Sequence, residues 1–549
     1  MKPLTRSVWL LALLVGALAY RTGFPLDAAG SSQAPPAQTG APQGVGAGAA
    51  PPAGQAGPAR GGRGNPAAML FTDQCAGCHG TDLAGGRGLP ATTAASSLFD
   101  DKWTIADDNE VILKAIAEGV PSAAASHAFK STLSEAQMWS LVVYIRAQQA
   151  ALKGRPTYVP EANGQIIKSE KQTFRIETIT KDLETPWGIA FLPDGRMLVT
   201  ERPGRLRIVD KSGKLLPAPV SGTPKVWEKQ DGGLLDVEVH PNYARNGWIY
   251  LSYSEILPGY VAPPPTAEPP SAPAAAPGRG AAADPPTMTV IVRGKISKTN
   301  EWTDQQVVFR APADQYSVGN AHYGSRFTFD RQGHLFFSLG EKQIMQNAQD
   351  LSKTTGKIHR VNDDGTAPKD NPFVTAPNAL PTIWSLGHRN PQGFAWDPVT
   401  GRLWESEHGP GGGDEINVIQ PGRNYGWGVI TMGTQNGITK RSEPGMEQPI
   451  VYYIPSVAPS GIAFYTGSKY PGWKNSLFVT CLGGQQLKRL EVRGDTVTHQ
   501  EIVFNQFGRV HDIVQGADGF FYLALQTPGT GLADSTPGSV IRLVPVASR

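Results

Sequence analysis

Two cysteines and a histidine form the most chemically distinctive group near the start of this chain of 549 residues. The run that begins at Asp73 reads DQCAGCHG, so two residues separate Cys75 from Cys78 and His79 follows at once. Two thiols at this spacing can add to the two vinyl groups of a haem, and the adjacent imidazole can bind the iron. The motif therefore predicts covalently attached haem c, with a simple metal site as the alternative.

The segment around this motif has the length and pattern of a small helical domain. Its last part, LSEAQMWSLVVYIRAQQA, carries apolar residues at helical spacing after a candidate N-cap, Ser134. Residues 66–150 resemble class I cytochrome c domains. Such domains take their sixth iron ligand, usually Met, from the stretch before the last helix, where this chain has His127. The resemblance therefore implies iron bound by His79 and His127, with a surface position for His127 as the alternative.

Further along the chain, three short runs bring charged and amide side chains next to glycines. They are NAHYGSR from Asn320 with LGE from Leu339, GHRNPQG from Gly387, and EHGPGGGDEIN from Glu407. A histidine such as His322 can act as a general base when a carboxylate such as Glu341 fixes its tautomer. Arg389 with Asn390 and Gln392 makes a fork for carboxylates and carbonyls. The glycine-rich turn exposes backbone carbonyls, which suit calcium. Each run taken alone is more often structural.

A repeated hairpin pattern must position these three runs. A strand, a turn rich in Asp, Gly and Pro, and a second strand recur six times, starting at Gly188, Val237, Arg326, Gly393, Gly461 and Asp512. An inexact hairpin repeat of this kind is typical of a β-propeller, whose closed ring protects the strand edges. The sequence thus predicts an all-β six-bladed β-propeller with a small N-terminal α-helical cytochrome c domain. A β-sandwich is the weaker alternative.

Specific motifs between residues 183 and 543 resemble the soluble aldose dehydrogenases that depend on pyrroloquinoline quinone (PQQ), also called glucose/sorbosone dehydrogenases. The motifs are TPWGIAFLPDGRMLVTERPGRL, GGLLDVEVHPNY, HYGSRFTF, TTGKIHRVNDDGTAPKDNPF, WSLGHRNPQGFAWDP and SEHGPGGGDEINVIQPGRNYGW. The resemblance implies that PQQ lies in the central channel of the propeller. It also implies oxidation of an aldose or related alcohol to its lactone, with haem c receiving the electrons one at a time.

The resemblance also implies a role for individual residues. His322 would take the proton of the sugar's anomeric hydroxyl, Glu341 would orient His322, and Arg389 would polarise the quinone carbonyl. Asn390 and Gln392 would line the cofactor. The other implied contacts are calcium on the backbone carbonyls of Gly409 and Pro410, a possible second calcium on Glu415 and Tyr425, and a cofactor carboxylate on Arg509.

Three positions depart from the family pattern. Asp231 stands where a Gln is usual, Gly483 where a Lys is common, and His511 where a second Arg is usual. Because PQQ carries three carboxylates, these changes should weaken its binding unless calcium, Lys488 or Arg489 compensates. Two other functions therefore stay open: a propeller that binds calcium and carbohydrate without PQQ, and a calcium-dependent hydrolase.

The ends and joints of the chain have compositions of their own. Residues 1–29 read as a signal peptide or an N-terminal anchor, because positive charge precedes a short apolar run and a small-x-small site. This predicts a periplasmic protein, held at a membrane only if the segment is uncleaved. Residues 30–65 predict a flexible Ala/Pro/Gly-rich tether, 151–175 a linker, 176–546 the propeller, and 258–286 a Pro/Ala-rich loop insertion.

Charge and cysteine content exclude some other classes. The net charge is +3 and there is no long Lys/Arg run, so nucleic acid is not an expected partner. The third of the three cysteines, Cys481, lies in an apolar run and predicts a buried, inert thiol. Besides a small aldose or alcohol, the expected partner is a downstream electron acceptor, either a cytochrome or a quinone-linked chain.

Overall fold

The computed structural model describes residues 65–85, 97–99, 105–120, 127–154, 156–262, 284–435, 437–529 and 535–546. The predicted signal or anchor segment, the predicted tether except for Asn65, and most of the predicted insertion at 258–286 lie outside these residues. Within the described parts of the chain, no helix has both the length and the apolar character needed to cross a membrane.

The described part of the N-terminal domain contains four α-helices. They are α1 (Pro66–Gln74), α2 (Ala76–His79), α3 (Asn109–Glu118) and α4 (Glu135–Lys153). Ser134 caps α4 through a capping box with Gln137, which satisfies backbone N–H groups at the start of the helix. The predicted N-cap and last helix are therefore both present, and α4 ends inside the range predicted as a linker.

Helix α4 packs on two sides of this small domain. Leu141 and Ile145 contact a cluster that contains Phe71 of α1 and reaches Cys75. Trp139 belongs to a second cluster, formed with residues of α3 such as Ile112. Helix α4 therefore packs with one group of side chains against the cluster at the haem-attachment motif, and with another group against α3.

Six antiparallel sheets form the large domain, as the hairpin repeat predicted. The first blade contains the strands Pro186–Phe191, Met197–Glu201 and Arg205–Val209, and the second contains Leu234–Val239, Ile249–Ile256, Thr287–Ile296 and Trp302–Phe309. The third contains Phe327–Phe329, Leu335–Leu339, Lys357–Val361 and Ile383–Leu386, and the fourth contains Pro391–Trp396, Leu403–Glu407, Asp414–Ile419 and Val451–Tyr453. The fifth contains Pro459–Phe464, Leu477–Cys481, Gln486–Arg493 and Thr496–Phe504, and the sixth contains Arg509–Gln515, Phe521–Gln526, Pro537–Pro545, Thr173–Glu184 and Ile166–Lys168. A short helix, α5 (Tyr243–Asn246), lies in the hairpin of the second blade. Each predicted repeat supplies the first two strands of one blade.

The sixth blade joins the two ends of the propeller sequence. Thr173–Glu184 pairs with Pro537–Pro545, with Ile176 opposite Leu543 in the register. The strand Ile166–Lys168, inside the range predicted as a linker, forms the outer edge of this sheet. This pairing closes the ring of blades, so that strand edges are covered. The all-β six-bladed propeller and the small helical domain that the sequence predicted are thereby confirmed.

Apolar side chains fill the spaces between neighbouring blades. The cluster around Trp473 and Phe521 joins the fifth and sixth blades, and the one around Trp404 and Leu477 joins the fourth and fifth. Cys481 is fully buried in the latter cluster, and burial raises the pKa of its thiol to about 12. The thiol is therefore protonated at neutral pH, as the sequence predicted.

Candidate functional site

His322 and Glu341 form a buried acid–base pair at the inner end of the third blade. His322 lies in the loop before the first strand of that blade, and Glu341 follows its second strand. The Nδ1 atom of His322 is hydrogen-bonded to Oε1 of Glu341, whose side chain is only 2% exposed, while the His322 side chain is 15% exposed. This contact leaves Nε2 of the imidazole available to accept a proton from a substrate.

The backbone holds His322 in an uncommon conformation. Its φ is +57°, a left-handed value that costs free energy in a non-glycine residue and is found most often at functional sites. The backbone N–H of His322 donates to Oδ2 of Asp231 at 3.1 Å. Gly340 permits the close packing of this loop, because a Cβ atom there would come within 2.3 Å of the His322 carbonyl oxygen. Asp231 thus helps to position the histidine.

The polar residues Arg389, Asn390 and Gln392 lie before or at the start of the fourth blade. The Asn390 side-chain oxygen accepts hydrogen bonds from Gly324 N and Gln392 Nε2, both at 3.0 Å. The guanidinium of Arg389 donates to the His408 carbonyl at 3.1 Å and lies 5.2 Å from the centre of the Trp427 ring. These contacts hold the Arg389 guanidinium at the His408 carbonyl, and they join Asn390 to Gly324, two residues after His322.

The glycine-rich turn of the fourth blade borders the same space. Gly409 N donates to the Asp414 carboxylate at 2.8 Å, and the other oxygen of Asp414 accepts from Val457 N at 2.7 Å. The carbonyl of Pro410 accepts a hydrogen bond from Thr434 N at 3.1 Å. The predicted calcium-binding carbonyls of Gly409 and Pro410 therefore belong to a turn that is held from both sides.

A cavity lies between this turn and the arginine. We call it the central pocket; its lining residues are Arg389, Glu407, His408, Gly409, Pro410, Gly413, Glu415, Tyr425, Trp427, Ile430 and Thr431. Among the described residues, no hydrogen-bond partner is found for the buried atoms Nε of Arg389, Nε2 of His408 and Oε2 of Glu341. Buried polar atoms without partners cost free energy unless a ligand satisfies them. The N–H of Arg389, and an N–H at Nε2 of His408, can donate to an anionic, carbonyl-rich group such as PQQ, whereas Oε2 of Glu341 can only accept.

Three carboxylates meet at the central pocket, and two of them, Glu407 and Glu415, belong to its lining. Glu405, Glu407 and Glu415 all receive long hydrogen bonds, at 3.2–3.4 Å, from the single amide nitrogen Nδ2 of Asn417. Burial raises the pKa of both Glu405 and Glu415, and the neighbouring Glu407 raises each further. His388, Glu405 and Glu407 each offer a ligand atom within 4.8 Å of the others. Carboxylate and amide oxygens are ligands that Ca²⁺ prefers.

Glu415 and Tyr425, the predicted pair for a second calcium, both line the central pocket. Glu415 belongs to the carboxylate group, but the Tyr425 hydroxyl donates to the Val418 carbonyl at 2.6 Å and its ring stacks on His388. The hydroxyl is therefore already engaged. Any contribution of Tyr425 to a cation would have to come from its backbone carbonyl.

Arg509 and His511 lie on the first strand of the sixth blade, at the other side of the channel. Both side chains contact Oε1 of Gln526, at 3.3 Å for Arg509 Nε and 2.7 Å for His511 Nε2. Burial lowers the pKa of His511 to about 3, and the nearby Arg509 lowers it as well. Arg326 connects this strand with the fork, because it donates to the carbonyls of both Gln392 and His511. His511 is thus neutral and does not replace the missing arginine charge.

Lys342 is a buried lysine near Asp231 that the sequence reasoning overlooked. Lys342 is 1% exposed, and its ammonium group lies 3.4 Å from the centre of the Tyr323 ring and donates to the Gly319 carbonyl. Burial lowers the pKa of Lys342 to about 7, while Asp231 and Glu341 act in the opposite direction. A lysine directly after Glu341 is visible in the sequence, but its inward orientation is not.

The two residues suggested for compensation have other contacts. Arg489 is paired with the carboxylates of Glu170, Glu491 and Glu501. Lys488 lies 4.9 Å from the centre of the Tyr453 ring, and burial lowers its pKa. Among the residues that the structure describes, no hydrogen bond or ion pair joins either side chain to the lining of the central pocket.

The haem-attachment site is assembled in the helical domain. Cys75 and Cys78 form no disulfide, and the rings of His79 and His127 are arranged edge to face, with centres 5.8 Å apart and planes 87° apart. A metal ion bound by two imidazole nitrogens at about 2 Å each needs ring centres about 6 Å apart. Nδ1 of His127 is buried and has no hydrogen-bond partner among the described residues. The site therefore fits an iron held between the two predicted histidines.

The two methionines near this site are not comparable ligands. Met69 on α1 is 53% exposed, and Met138 is buried with Trp139 in the cluster on the other side of α4. The exposure of Met69 and the packing of Met138 against α3 therefore agree with His127, which lies beside His79, as the ligand in place of the usual methionine.

Comparison with known proteins places both domains. Residues 183–533 match the family described as Glucose / Sorbosone dehydrogenase, and residues 62–145 match the family described as Cytochrome C oxidase, cbb3-type, subunit III. The chain therefore belongs to the glucose/sorbosone dehydrogenase family and is an oxidoreductase that carries an N-terminal cytochrome c domain.

Three relatives illustrate the similarity. The aldose sugar dehydrogenase YliI of Escherichia coli (strain K12) is 39% identical over 382 residues, covering 68% of this chain and 93% of the relative. Quinoprotein glucose dehydrogenase B of Acinetobacter calcoaceticus is 26% identical over 475 residues, covering 70% and 94%. The structure of the PQQ-bound aldose sugar dehydrogenase from Streptomyces coelicolor aligns with a TM-score of 0.52 at 26% identity, covering 70% of this chain and all of that one.

Proposed function

We propose that this protein is an exported, periplasmic quinohaemoprotein that oxidises an aldose, or a related alcohol, to its lactone. The observation that carries the proposal is the His322–Glu341 pair, joined to the pocket residue Arg389 by the hydrogen bond from Glu341 N to the Arg389 carbonyl, in the same chain as a haem-attachment site. PQQ-bound relatives support the choice of cofactor. When bound, PQQ would supply a carbonyl group that accepts a hydride.

The protein's own residues would handle the proton. Nε2 of His322 removes the proton of the anomeric hydroxyl, while Nδ1–H donates to Glu341. The buried carboxylate keeps the imidazole in this tautomer and stabilises the imidazolium that forms. Arg389, fixed on the His408 carbonyl, supplies positive charge to the wall against which a quinone carbonyl would lie.

Calcium would bind to two groups of residues around the fourth blade. The turn at Gly409 and Pro410 offers carbonyls at the central pocket, and the buried group of Glu405, Glu407 and Glu415 needs positive charge to be ionised together. A hard cation in each place would hold the fourth blade around the cofactor.

A reconstitution experiment tests the proposal. The full chain, produced in a host that attaches haem, is loaded with PQQ and calcium, and aldoses are added while the haem absorption is followed. The proposal expects haem reduction that requires both sugar and PQQ. If the protein neither binds PQQ in a fluorescence titration nor reduces its haem, the proposal fails, and a propeller that binds calcium and carbohydrate without PQQ becomes the better explanation.

A further inference from the structure

Trp139, in the last helix of the cytochrome domain, contacts the propeller with its indole N–H. Trp139 of α4 is 3% exposed, yet its indole N–H donates 3.0 Å across to the Met432 carbonyl of the propeller. Its ring lies 6.2 Å from that of Tyr452, at the start of the fourth blade's last strand. A buried tryptophan whose polar end is satisfied by another domain is a strong anchor for an interface.

Charged residues surround this anchor. The guanidinium of Arg441 lies 4.3 Å from the centre of the Trp139 ring and forms ion pairs with Glu110 of α3 and Glu135 of α4. The propeller thus supplies the cation, and two helices of the cytochrome domain supply the carboxylates. Complementary charge at the rim of an interface fixes its orientation.

The segments that Trp139 contacts are also the wall of the central pocket. Gly413, a lining residue, donates its N–H to the Tyr453 carbonyl at 2.8 Å. A Cβ atom on Gly413 would come within 2.6 Å of the Met432 carbonyl carbon. Thr431, which precedes Met432, lines the pocket as well. One layer of backbone therefore separates the pocket from the indole ring.

The same helix reaches the haem-attachment motif. Leu141 and Ile145 of α4 pack in the cluster that includes Cys75. Trp139 and Val142 pack in the cluster that includes Phe129, two residues after His127. A single helix therefore packs against the pocket wall and against the clusters that contain Cys75 and Phe129 of the haem domain.

We infer that the cytochrome domain is docked on the wall of the central pocket through Trp139, and that this contact is the route by which electrons leave the propeller for the haem. The inference rests on the proposed quinone chemistry. Each sugar oxidised releases two electrons and two protons. Haem c attached at Cys75 and Cys78 would accept one electron at a time, with Fe(III) reduced to Fe(II), and an external one-electron acceptor such as ferricyanide would reoxidise it before the second electron arrives. Trp139 is a positioning residue in this scheme.

Stopped-flow spectroscopy of the full, PQQ-loaded chain tests the route. Sugar is mixed with wild type, Trp139→Phe, Arg441→Ala and the control Ser140→Ala, whose hydroxyl bonds only within α4 to the Gln137 carbonyl. Trp139→Phe keeps an aromatic ring but loses the N–H donor. We expect its rate of haem reduction to fall by about tenfold, equivalent to about 1.4 kcal/mol in the docking equilibrium. Reduction of a small phenazine dye added at the pocket should be unchanged in every variant.

The possible outcomes separate the two proposals. Haem reduction at the wild-type rate in both Trp139→Phe and Arg441→Ala would overturn the route, and so would dye reduction without haem reduction in the wild type, while sugar oxidation by the propeller would stand. Loss of dye reduction in the wild type would instead contradict the proposed function.

A second measurement needs no quinone. Hydrogen exchange of the PQQ-free haem protein should be faster in Trp139→Phe at the amides of Gly413 and Thr434, which depend on the segments that Trp139 contacts. Ser140→Ala should match the wild type. Unchanged exchange in Trp139→Phe would contradict the docking itself.

Discussion

At the scale of single residues, the candidate site depends on how Glu341 and Asp231 hold one imidazole. Glu341 engages the His322 side chain and Asp231 engages its backbone N–H. The two carboxylates act on different parts of the histidine, so they have different consequences. Glu341 sets which ring nitrogen carries the proton, whereas Asp231 and Lys342 set where the ring lies.

Replacement of His322 by alanine should separate chemistry from binding. Removal of a general base lowers kcat by about 10²–10⁴-fold, so we expect sugar oxidation to fall by this amount. PQQ affinity should change little in a fluorescence titration, because the unpartnered donors of the pocket belong to Arg389 and His408. His499→Ala, at a histidine that pairs with Glu170, serves as the control. Loss of PQQ binding with residual turnover in His322→Ala would contradict the assigned role.

At the scale of elements, the turn from Gly409 to Gly413 depends on close backbone packing. Gly413 has a φ of +72°, and a Cβ atom on it would approach Gly433 N to 2.2 Å. Gly401, in the hairpin of the same blade, has a φ of +71° but nothing within 4 Å of the equivalent position. The two glycines therefore share a left-handed backbone and differ in their surroundings.

This pair gives a controlled test of the turn. Gly401→Ala should lose only the left-handed strain, about 1–2 kcal/mol of the free energy of unfolding. Gly413→Ala should lose more than that and also weaken PQQ binding, because the turn must move away from Gly433. Urea unfolding and PQQ titration of both variants provide the measurements. Equal losses in the two variants, with PQQ affinity unchanged, would show that the tight packing at Gly413 has no role in the pocket.

At the scale of the whole molecule, stability should depend on pH through buried histidines. His359 in the third blade is held by Thr354 and Thr382, and burial lowers its pKa to about 3, with Lys357 acting in the same direction. The unfolded chain therefore binds one more proton than the folded one between pH 6.5 and about 3. This histidine makes the protein less stable as the pH falls through that window.

Comparison with His359→Gln isolates the effect. Between pH 6.5 and 5, the wild type should lose about 1.4 kcal/mol per pH unit more than the variant in urea unfolding experiments. The two proteins must be compared because Asp236 and Glu238 also make the free energy of unfolding depend on pH. Burial raises their pKa values to about 7 and about 8, so their contribution has the opposite sign to that of His359 and is the same in both proteins. Parallel pH profiles for the two proteins would mean that His359 is not the neutral, buried group described above.

Much of this architecture could be predicted because its signals are local. The CxxCH spacing, the cap at Ser134 and the six hairpins are all contained within short stretches of chain, where alternation and turn residues report the strand and helix directly. The same holds for the polar runs around His322 and Arg389, which stand out against the hairpin pattern.

Local patterns in the sequence therefore specify the elements: a haem-attachment domain, six blades and three polar loops. Which of these elements contact one another depends on the folded arrangement. Asp231 reaches His322 across 91 positions, and Trp139 reaches Met432 across 293. The burial of Lys342 and the meeting of Glu405, Glu407 and Glu415 likewise have no local signature. The physical reason is that ring closure and packing between blades set these contacts, and residues distant in sequence share them without any common periodicity.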